Sequence, residues 1–491
     1  MRKRPRVQKK SEKPNKKLHS NVVKEPEDIR ELEYEDHGED EYDSESEAVY
    51  HSGSSVGEAE EWEDFKNLRL EETKDGEISL VNDPSYNAME EEKIEPEEEK
   101  EIWTGDPRQI KQGEILDFEN EAYELFYRTS VEWSCLSLDN IKGPEMCTGF
   151  PYTIYLVSGT QAPEGQNKVY VMKWSELYKT QYDDKSASEE DSSEEEAEEG
   201  DEAKMDYVEF SHHGVVNRIR ANQDFNAVAT WSEKGVVNIF DLSSPLKKLE
   251  SANGVVKSRA VVVNTFNVHN EGYGLCWGYN GTLYAGGEGI HMFEYNGSQW
   301  SHSKTYNGHK DAVEDIQRSP TEQTVFASCS CDKSIKIWDT RVATADAQIT
   351  MPNAHESDVN VISWNTQEAS QIASGSDDCS FKVWDLRFSQ QQAASIKWHS
   401  DSITSICWNP MDSCELVVAS ADDRITVWDL SVEAEGEIEP GYPPQLLFIH
   451  QGQEDVKEVM YHPDYQMILS TAANSFNVFR PNINVKEEED S

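Results

Sequence analysis

Histidine, serine and aspartate recur in the second half of this chain at fixed spacing. His309, Ser328, Asp332 and Trp338 form one set, His355, Ser374, Asp378 and Trp384 a second, and His399 with Trp428 bounds a third. These are side-chain types that catalysis or metal binding would use. Their repetition argues for another role. Each histidine stands 29 residues before its aromatic, His450 and Phe479 repeat that spacing, and the first three histidines are 46 and 44 residues apart. A buried histidine or aspartate must be hydrogen bonded to offset its desolvation. The sets are therefore expected to be structural networks, one in each repeat.

The elements that would hold them follow from the same period. A repeat of this length that ends in Trp-Asp, as at Trp338-Asp339, Trp384-Asp385 and Trp428-Asp429, points to a β-propeller of the Trp-Asp type. In one repeat Val359, Ile362 and Trp364 mark a first strand, Gln371 to Ser374 a second, Phe381 to Asp385 a third and the stretch before His399 a fourth. Alternating apolar residues such as Ile335, Ile337 and Val383 fit pleated strands packed between neighbouring blades. Degenerate copies begin at His213, with Val216, Ile219 and the close Ile239-Phe240-Asp241, and at His269, with Leu275, Trp277 and the close Met292-Phe293-Glu294. Tyr152 to Val157 and Val169 to Trp174 supply one more blade. The count is seven, and Leu136 to Ile141 is expected to close the ring as the outer strand of the last blade, leaving no sheet edge exposed. Phe118 to Thr129 reads as an amphipathic helix, with Phe118, Ala122, Leu125 and Phe126 sharing a face. The expected fold is all-β: a seven-bladed WD-repeat β-propeller with an N-terminal amphipathic helix and disordered acidic extensions.

Charge divides the chain further. The net charge is −50, yet residues 1–24 hold ten Lys or Arg against one acid, Glu12. Residues 25–101 hold 31 acids and six bases, which is half of the net charge in a stretch with little apolar surface to bury. A second run, Glu189 to Glu202, has ten acids in fourteen residues and must loop out of the first blade. The expected organisation is a basic targeting segment at 1–24, an acidic disordered region at 25–114, the helix at 115–135, the propeller at 136–481 and an acidic tail at 482–491. Within the propeller fall a disordered insertion at 183–206 and an acidic Pro-Pro loop at 431–445. Ser186, Ser188, Ser192 and Ser193 lie among or just before acids and are candidate phosphorylation sites, where a phosphate would deepen the charge. No run of eighteen apolar residues and no signal-peptide pattern is present, and the eight cysteines are scattered rather than clustered, which fits reduced thiols in an intracellular protein. A basic cluster ahead of acidic tracts reads as a nuclear or nucleolar address, the alternatives being a nucleic-acid contact or a solvated tail. A polyanion repels nucleic acid, so DNA or RNA is excluded as primary ligand. The acids suit a strongly basic protein partner, such as a histone or a ribosomal protein.

Three separated strings carry a resemblance. Val131-Glu132-Trp133-Ser134-Cys135-Leu136, Glu271-Gly272-Tyr273-Gly274-Leu275-Cys276-Trp277 and Pro443-Pro444-Gln445-Leu446-Leu447-Phe448-Ile449-His450 resemble the retinoblastoma-associated histone-binding propellers, over roughly residues 115 to 480. The Glu-rich extensions are similar to one branch of them, the glutamate-rich WD-repeat proteins. That resemblance implies a nucleolar chaperone that escorts a newly made basic ribosomal protein of the large subunit, universal large-subunit protein number three, to the pre-60S particle. It also implies two binding surfaces. One is a side groove between the N-terminal helix, with Phe118, Ala122, Leu125 and Phe126, and the acidic Pro-Pro loop, with Glu435, Glu437 and Glu439. The other is the channel mouth, with Glu271, Tyr273, Glu314, Asp358 and Asn360. Val215 and Ser402 stand where the relatives have glutamates, which favours a client other than the same histone tail.

Two other functions compete. A histone chaperone or chromatin-complex subunit differs only in its client. A substrate receptor of a cullin ubiquitin ligase would use Trp338-Asp339-Thr340-Arg341 and Trp384-Asp385-Leu386-Arg387, with Arg341 and Arg387 docking the ligase adaptor. An enzyme is disfavoured: the sequence has no Gly-rich phosphate loop, no Gly-x-Ser-x-Gly turn and no metal-ligand cluster. No cofactor, metal or membrane contact is expected.

Overall fold

The computed structural model of the chain describes residues 68–72, 78–82, 120–144, 147–180, 203–433 and 442–483. In the N-terminal unit, Leu68–Glu72 and Ile78–Asn82 pair as an antiparallel hairpin. In the C-terminal unit, short strands with apolar residues on both faces need cover on both sides, and neighbouring sheets provide it. Seven sheets form, and seven apolar clusters fill the junctions between successive ones. The innermost strands are Cys135–Ile141, Val216–Asn222, Gly274–Trp277, Val313–Arg318, Val359–Trp364, Ile403–Trp408 and Glu458–Tyr461. Each contacts the next and the last returns to the first, so the chain is a closed seven-bladed β-propeller.

Closure differs from the sequence expectation. Cys135–Ile141 is the innermost strand of blade 1, and the outer strand of blade 7 is Tyr123–Thr129, antiparallel to Phe476–Pro481. The stretch read as an amphipathic helix is a one-turn 3-10 segment, Asn120–Ala122, followed by this strand. Leu125 and Phe126, expected on one face, lie on opposite sides of this strand, and a β-bulge sets the pattern. The register shifts between Tyr123 and Leu125, so Tyr123 and Phe126, three residues apart, both pack toward blade 6, whereas Leu125 and Tyr127 pack toward blade 1. Such spacing on a regular chain means a helix. The backbone hydrogen bonds that make it a strand come from residues some 350 positions away.

One boundary also moves. Lys204–Ser211 is the outer strand of blade 1, so the insertion ends before Lys204 instead of at 206. A further strand, Val255–Lys257, adds in parallel to that edge, and the one α-helix among the described residues, Ser243–Glu250, lies between the third and outer strands of blade 2.

The repeated polar sets bind together the blades that carry them. His309 Nε2 lies 2.7 Å from Ser328 Oγ, its Nδ1 lies 3.0 Å from Asp332, and the Trp338 indole donates to Ser328 at 2.8 Å. His355 meets Ser374 and Asp378 at 2.8 and 3.0 Å, with Trp384 donating to Ser374 at 2.9 Å. In the third set His399 meets Asp422, and Thr426 replaces the serine as acceptor for Trp428. His450 is held by Asn477 at 2.9 Å and by the Tyr123 hydroxyl at 2.7 Å, so the closing strand completes the network of blade 7. In blade 2 the network histidine is His212, bonded to Thr230, in place of the expected His213. Ser328 and Ser374 are wholly buried and already accept an indole N–H, so no substrate reaches them as it would a nucleophile.

Candidate protein-binding surfaces

The innermost strands present alternate residues to the central channel, and the loops that enter them surround its mouth. There Glu271 accepts hydrogen bonds from Asn217 at 2.9 Å and from the Tyr273 hydroxyl at 3.3 Å. Burial and the Glu271 carboxylate push the Tyr273 phenol up to about 12. Cys331 donates to Glu314 at 3.3 Å. Burial raises the Glu314 carboxyl, and neighbouring Asp358 adds to the rise. Asn360 turns toward the adjacent blade, donating to Asp377 at 2.7 Å and to the Ile403 carbonyl at 3.1 Å. Glu271 and Tyr273 thus form one pair and Glu314 and Asp358 another, each acid retaining free lone pairs for a cationic group.

Below the mouth lies a group that the sequence did not reveal. Arg218 and Arg220 both donate to Glu458 Oε1, at 2.8 and 2.7 Å, and the Leu138 amide donates to Oε2 at 2.8 Å. Burial alone would raise the Glu458 carboxyl, but Arg220 and then Arg218 overcome it and hold the group at about 2. Burial pushes nearby Asp139 up to about 6 against the pull of Arg220. This cluster ties blades 7, 1 and 2 together across the ring seam. A charged residue inside a strand that otherwise reads as buried was the only local clue, and the partner stands 238 positions away.

The side groove is partly described. The closing strand and Leu446–His450, which follows the Pro-Pro sequence, are outer strands of adjacent blades. Ala122, Phe126, Leu447 and Phe448 pack against one apolar cluster, and the Tyr123 ring meets Phe126 at 4.9 Å and Phe448 at 5.2 Å. Leu125 is fully buried toward blade 1, so it belongs to the core and offers no face to a partner. Phe118, Glu435, Glu437 and Glu439 lie outside the described residues, as do Ser186, Ser188, Ser192 and Ser193. Arg341 and Arg387 are exposed (68 % and 63 %), each folded back onto the aspartate two residues before it at 2.6 Å.

The fold and its polar networks define a WD-repeat propeller. Residues 300–339, 347–385 and 390–429 match the family described as WD domain, G-beta repeat, and residues 113–178 match the histone-binding family described by RBBP4 and the CAF1 complex. The chain is 44 % identical over 415 residues to the Glutamate-rich WD repeat-containing protein 1 of Dictyostelium discoideum, covering 78 % of this chain and 85 % of that one. It is 35 % identical over 425 residues to the Ribosome assembly protein rrb1 of Schizosaccharomyces pombe, covering 80 % and 87 %. A Histone acetyltransferase type B subunit 2 from Mycosarcoma maydis matches at 29 % over 45 % of this chain and 55 % of its own. The chain belongs to the glutamate-rich WD-repeat family.

Proposed function

We propose that this protein is a ribosome biogenesis factor, a binding protein that holds a newly made basic protein of the large subunit, universal large-subunit protein number three, and escorts it to the nucleolar pre-60S particle. The observation that carries this is similarity along most of both chains to a protein named for ribosome assembly. Charge supports it: a chain of net charge −50 suits a cationic client and repels free RNA. The acidic tracts capture the client, in this reading, and the mouth carboxylates Glu271, Glu314 and Asp358, with the groove around Phe126 and Glu435, Glu437 and Glu439, select it. The test is the set of proteins that co-purify with the tagged chain after a moderate-salt wash and nuclease treatment. One large-subunit ribosomal protein at near-equal stoichiometry is the expected result, with retention reduced by Glu437→Lys and Glu439→Lys. Histones without a ribosomal protein would overturn it.

That outcome is the second reading, favoured by the match of residues 113–178 to histone-binding propellers. A third role, receptor for a cullin ligase, rests on Arg341 and Arg387 being exposed. It is abandoned if Arg341→Glu with Arg387→Glu leaves adaptor association unchanged.

A further inference from the structure

The outer edge of blades 1 and 2 departs from the rest of the molecule in polarity and in charge. Val255, Val261, Val262 and Val263 are 43–52 % exposed, and they are four of the eight large apolar side chains exposed among the described residues. Exposed valines scattered singly are ordinary, but a group this close in the chain marks a contact surface. The same stretch is basic within an acidic chain. Residues 251–270 hold Lys257 and Arg259 and no acid, although 95 of the 491 residues are Asp or Glu.

Backbone pairing puts these residues at open sheet edges. Val262–Asn267 is the outer strand of blade 2, paired with Val236–Asp241 and with no further strand among the described residues. Val255–Lys257 ends the sheet of blade 1 in the same way. Natural edge strands are guarded by charge, by proline or by a cover, and three exposed valines in a row at an edge are the opposite. The connecting segment is fixed in place, since the Asp241 amide donates to the Val261 carbonyl at 2.9 Å and the Ser258 amide to the Glu209 carbonyl at 2.8 Å. Helix Ser243–Glu250 adds charge beside it: Lys248 donates to Ser258 Oγ at 2.9 Å, and exposed Lys247 lines a cavity of about 430 Å³ with Lys248 and Asp241. The acids at hand are engaged. The Asp241 carboxylate accepts from the Ser243 amide and hydroxyl, and buried Glu209 pairs with Lys168 at 2.9 Å, which leaves Glu250 as the one other acid in residues 242–270.

We propose that this edge is a docking site for an extended, acidic segment of a partner protein, which adds to blade 2 as a further strand. Each feature selects one property of the occupant. An open edge offers backbone donors and acceptors in a row, which an extended peptide matches and a helix, its own groups already paired, does not. The valines at 261–263 select aliphatic side chains across from them. Lys247, Lys248, Lys257 and Arg259 select carboxylates and reject a basic segment. Single-stranded nucleic acid would satisfy the charge but not the surface, because its bases stack on aromatic rings and residues 251–263 contain none. A second copy of this face would bring like bases together.

The test titrates the full chain into fluorescein-labelled octapeptides and reads anisotropy. The probe alternates valine and glutamate; its comparators alternate valine with lysine and serine with glutamate, and an oligouridylate of equal length is run beside them. The valine-glutamate peptide is expected to bind about tenfold tighter than either comparator, the worth of two or three cross-strand pairs, and to weaken as salt rises. Val261→Ser with Val263→Ser, and separately Lys257→Glu with Arg259→Glu, should each cost about tenfold; all four residues are exposed, so the fold survives their replacement. Methylating alternate peptide nitrogens should abolish binding in one register and spare it in the other, the mark of an added strand. Equal binding of the serine or the lysine peptide, tighter binding of the oligouridylate, indifference to both variant pairs, or no binding of the valine-glutamate peptide overturns the proposal. So does binding that emerges only when residues 189–202 are deleted, which would assign this face to the chain's own acid run.

Discussion

The hydrogen bond between Tyr123 and His450 joins residues 327 positions apart at the point where the ring closes. Tyr123→Phe removes the hydroxyl and keeps the ring, so the contacts with Phe126, Phe448 and Phe479 at 4.9, 5.2 and 6.1 Å survive. What is lost is the partner of His450 Nδ1, on an imidazole that is buried, stacked on Phe479 at 4.0 Å and bonded through its other nitrogen to Asn477. Stranding one buried polar nitrogen costs about 1–3 kcal/mol. In so large a domain that would shift the melting midpoint only slightly, by about 2–4 °C per kcal/mol or less. Hydrogen exchange reads it better, because it separates the closing strand from the other blades. Amides of Tyr123–Thr129 and of their partners in Phe476–Pro481 should exchange about 5- to 150-fold faster, the same free energy expressed as an equilibrium constant. Strands of blade 4, at Val325–Ser330 and Ile335–Asp339, should be unchanged. Unaltered exchange at Tyr123–Thr129, or equal acceleration in every blade, would refute the idea that this bond latches the ring locally.

Other expectations follow from the same contacts. Glu458→Gln leaves Arg218 and Arg220 without their shared counter-charge and should destabilise the fold by about 3–5 kcal/mol in denaturant unfolding; a neutral result would show that the cluster is solvated. Burial depresses His355 to about 4 and His450 to about 3, below the ordinary 6.5. Unfolding frees both to protonate, so the stability they contribute is complete above pH 6.5 and is lost as pH falls toward those values. The slope reaches about 1.4 kcal/mol per pH unit for each histidine, and denaturant midpoints between pH 7 and 5 that do not fall would contradict it. His309→Ala takes one partner each from Ser328 and Asp332, which keep the Trp338 indole and the Lys310 and Ser334 donors, and should cost about 1–3 kcal/mol in all, checked by the same unfolding assay. Arg341→Glu with Arg387→Glu should move the unfolding midpoint little, because both guanidinium groups are exposed and screened by solvent.

The propeller itself was legible because its information is local and repeated. His309, Ser328, Asp332 and Trp338 lie within one blade, so their spacing records the hairpin geometry that brings them together, and the same holds for the sets led by His355 and His399. The blade count followed from that period even where His and Trp were replaced. Acidic residues such as Glu271 and Glu314 were assigned to the mouth from their place in the repeat, just ahead of or at the start of an innermost strand. Contacts between elements far apart in the chain were not legible. Tyr123–Thr129 has too few residues to declare its backbone, and its bulge placed apolar side chains at helical spacing; only pairing with Phe476–Pro481 makes it a strand. The Arg218, Arg220 and Glu458 cluster is likewise a product of ring closure. Sequence alone determined what each blade is, because hydrogen bonding within a blade is short in range. The tertiary structure decided how the ring is sealed and what its seams hold, because those groups meet only when the two ends of the chain do.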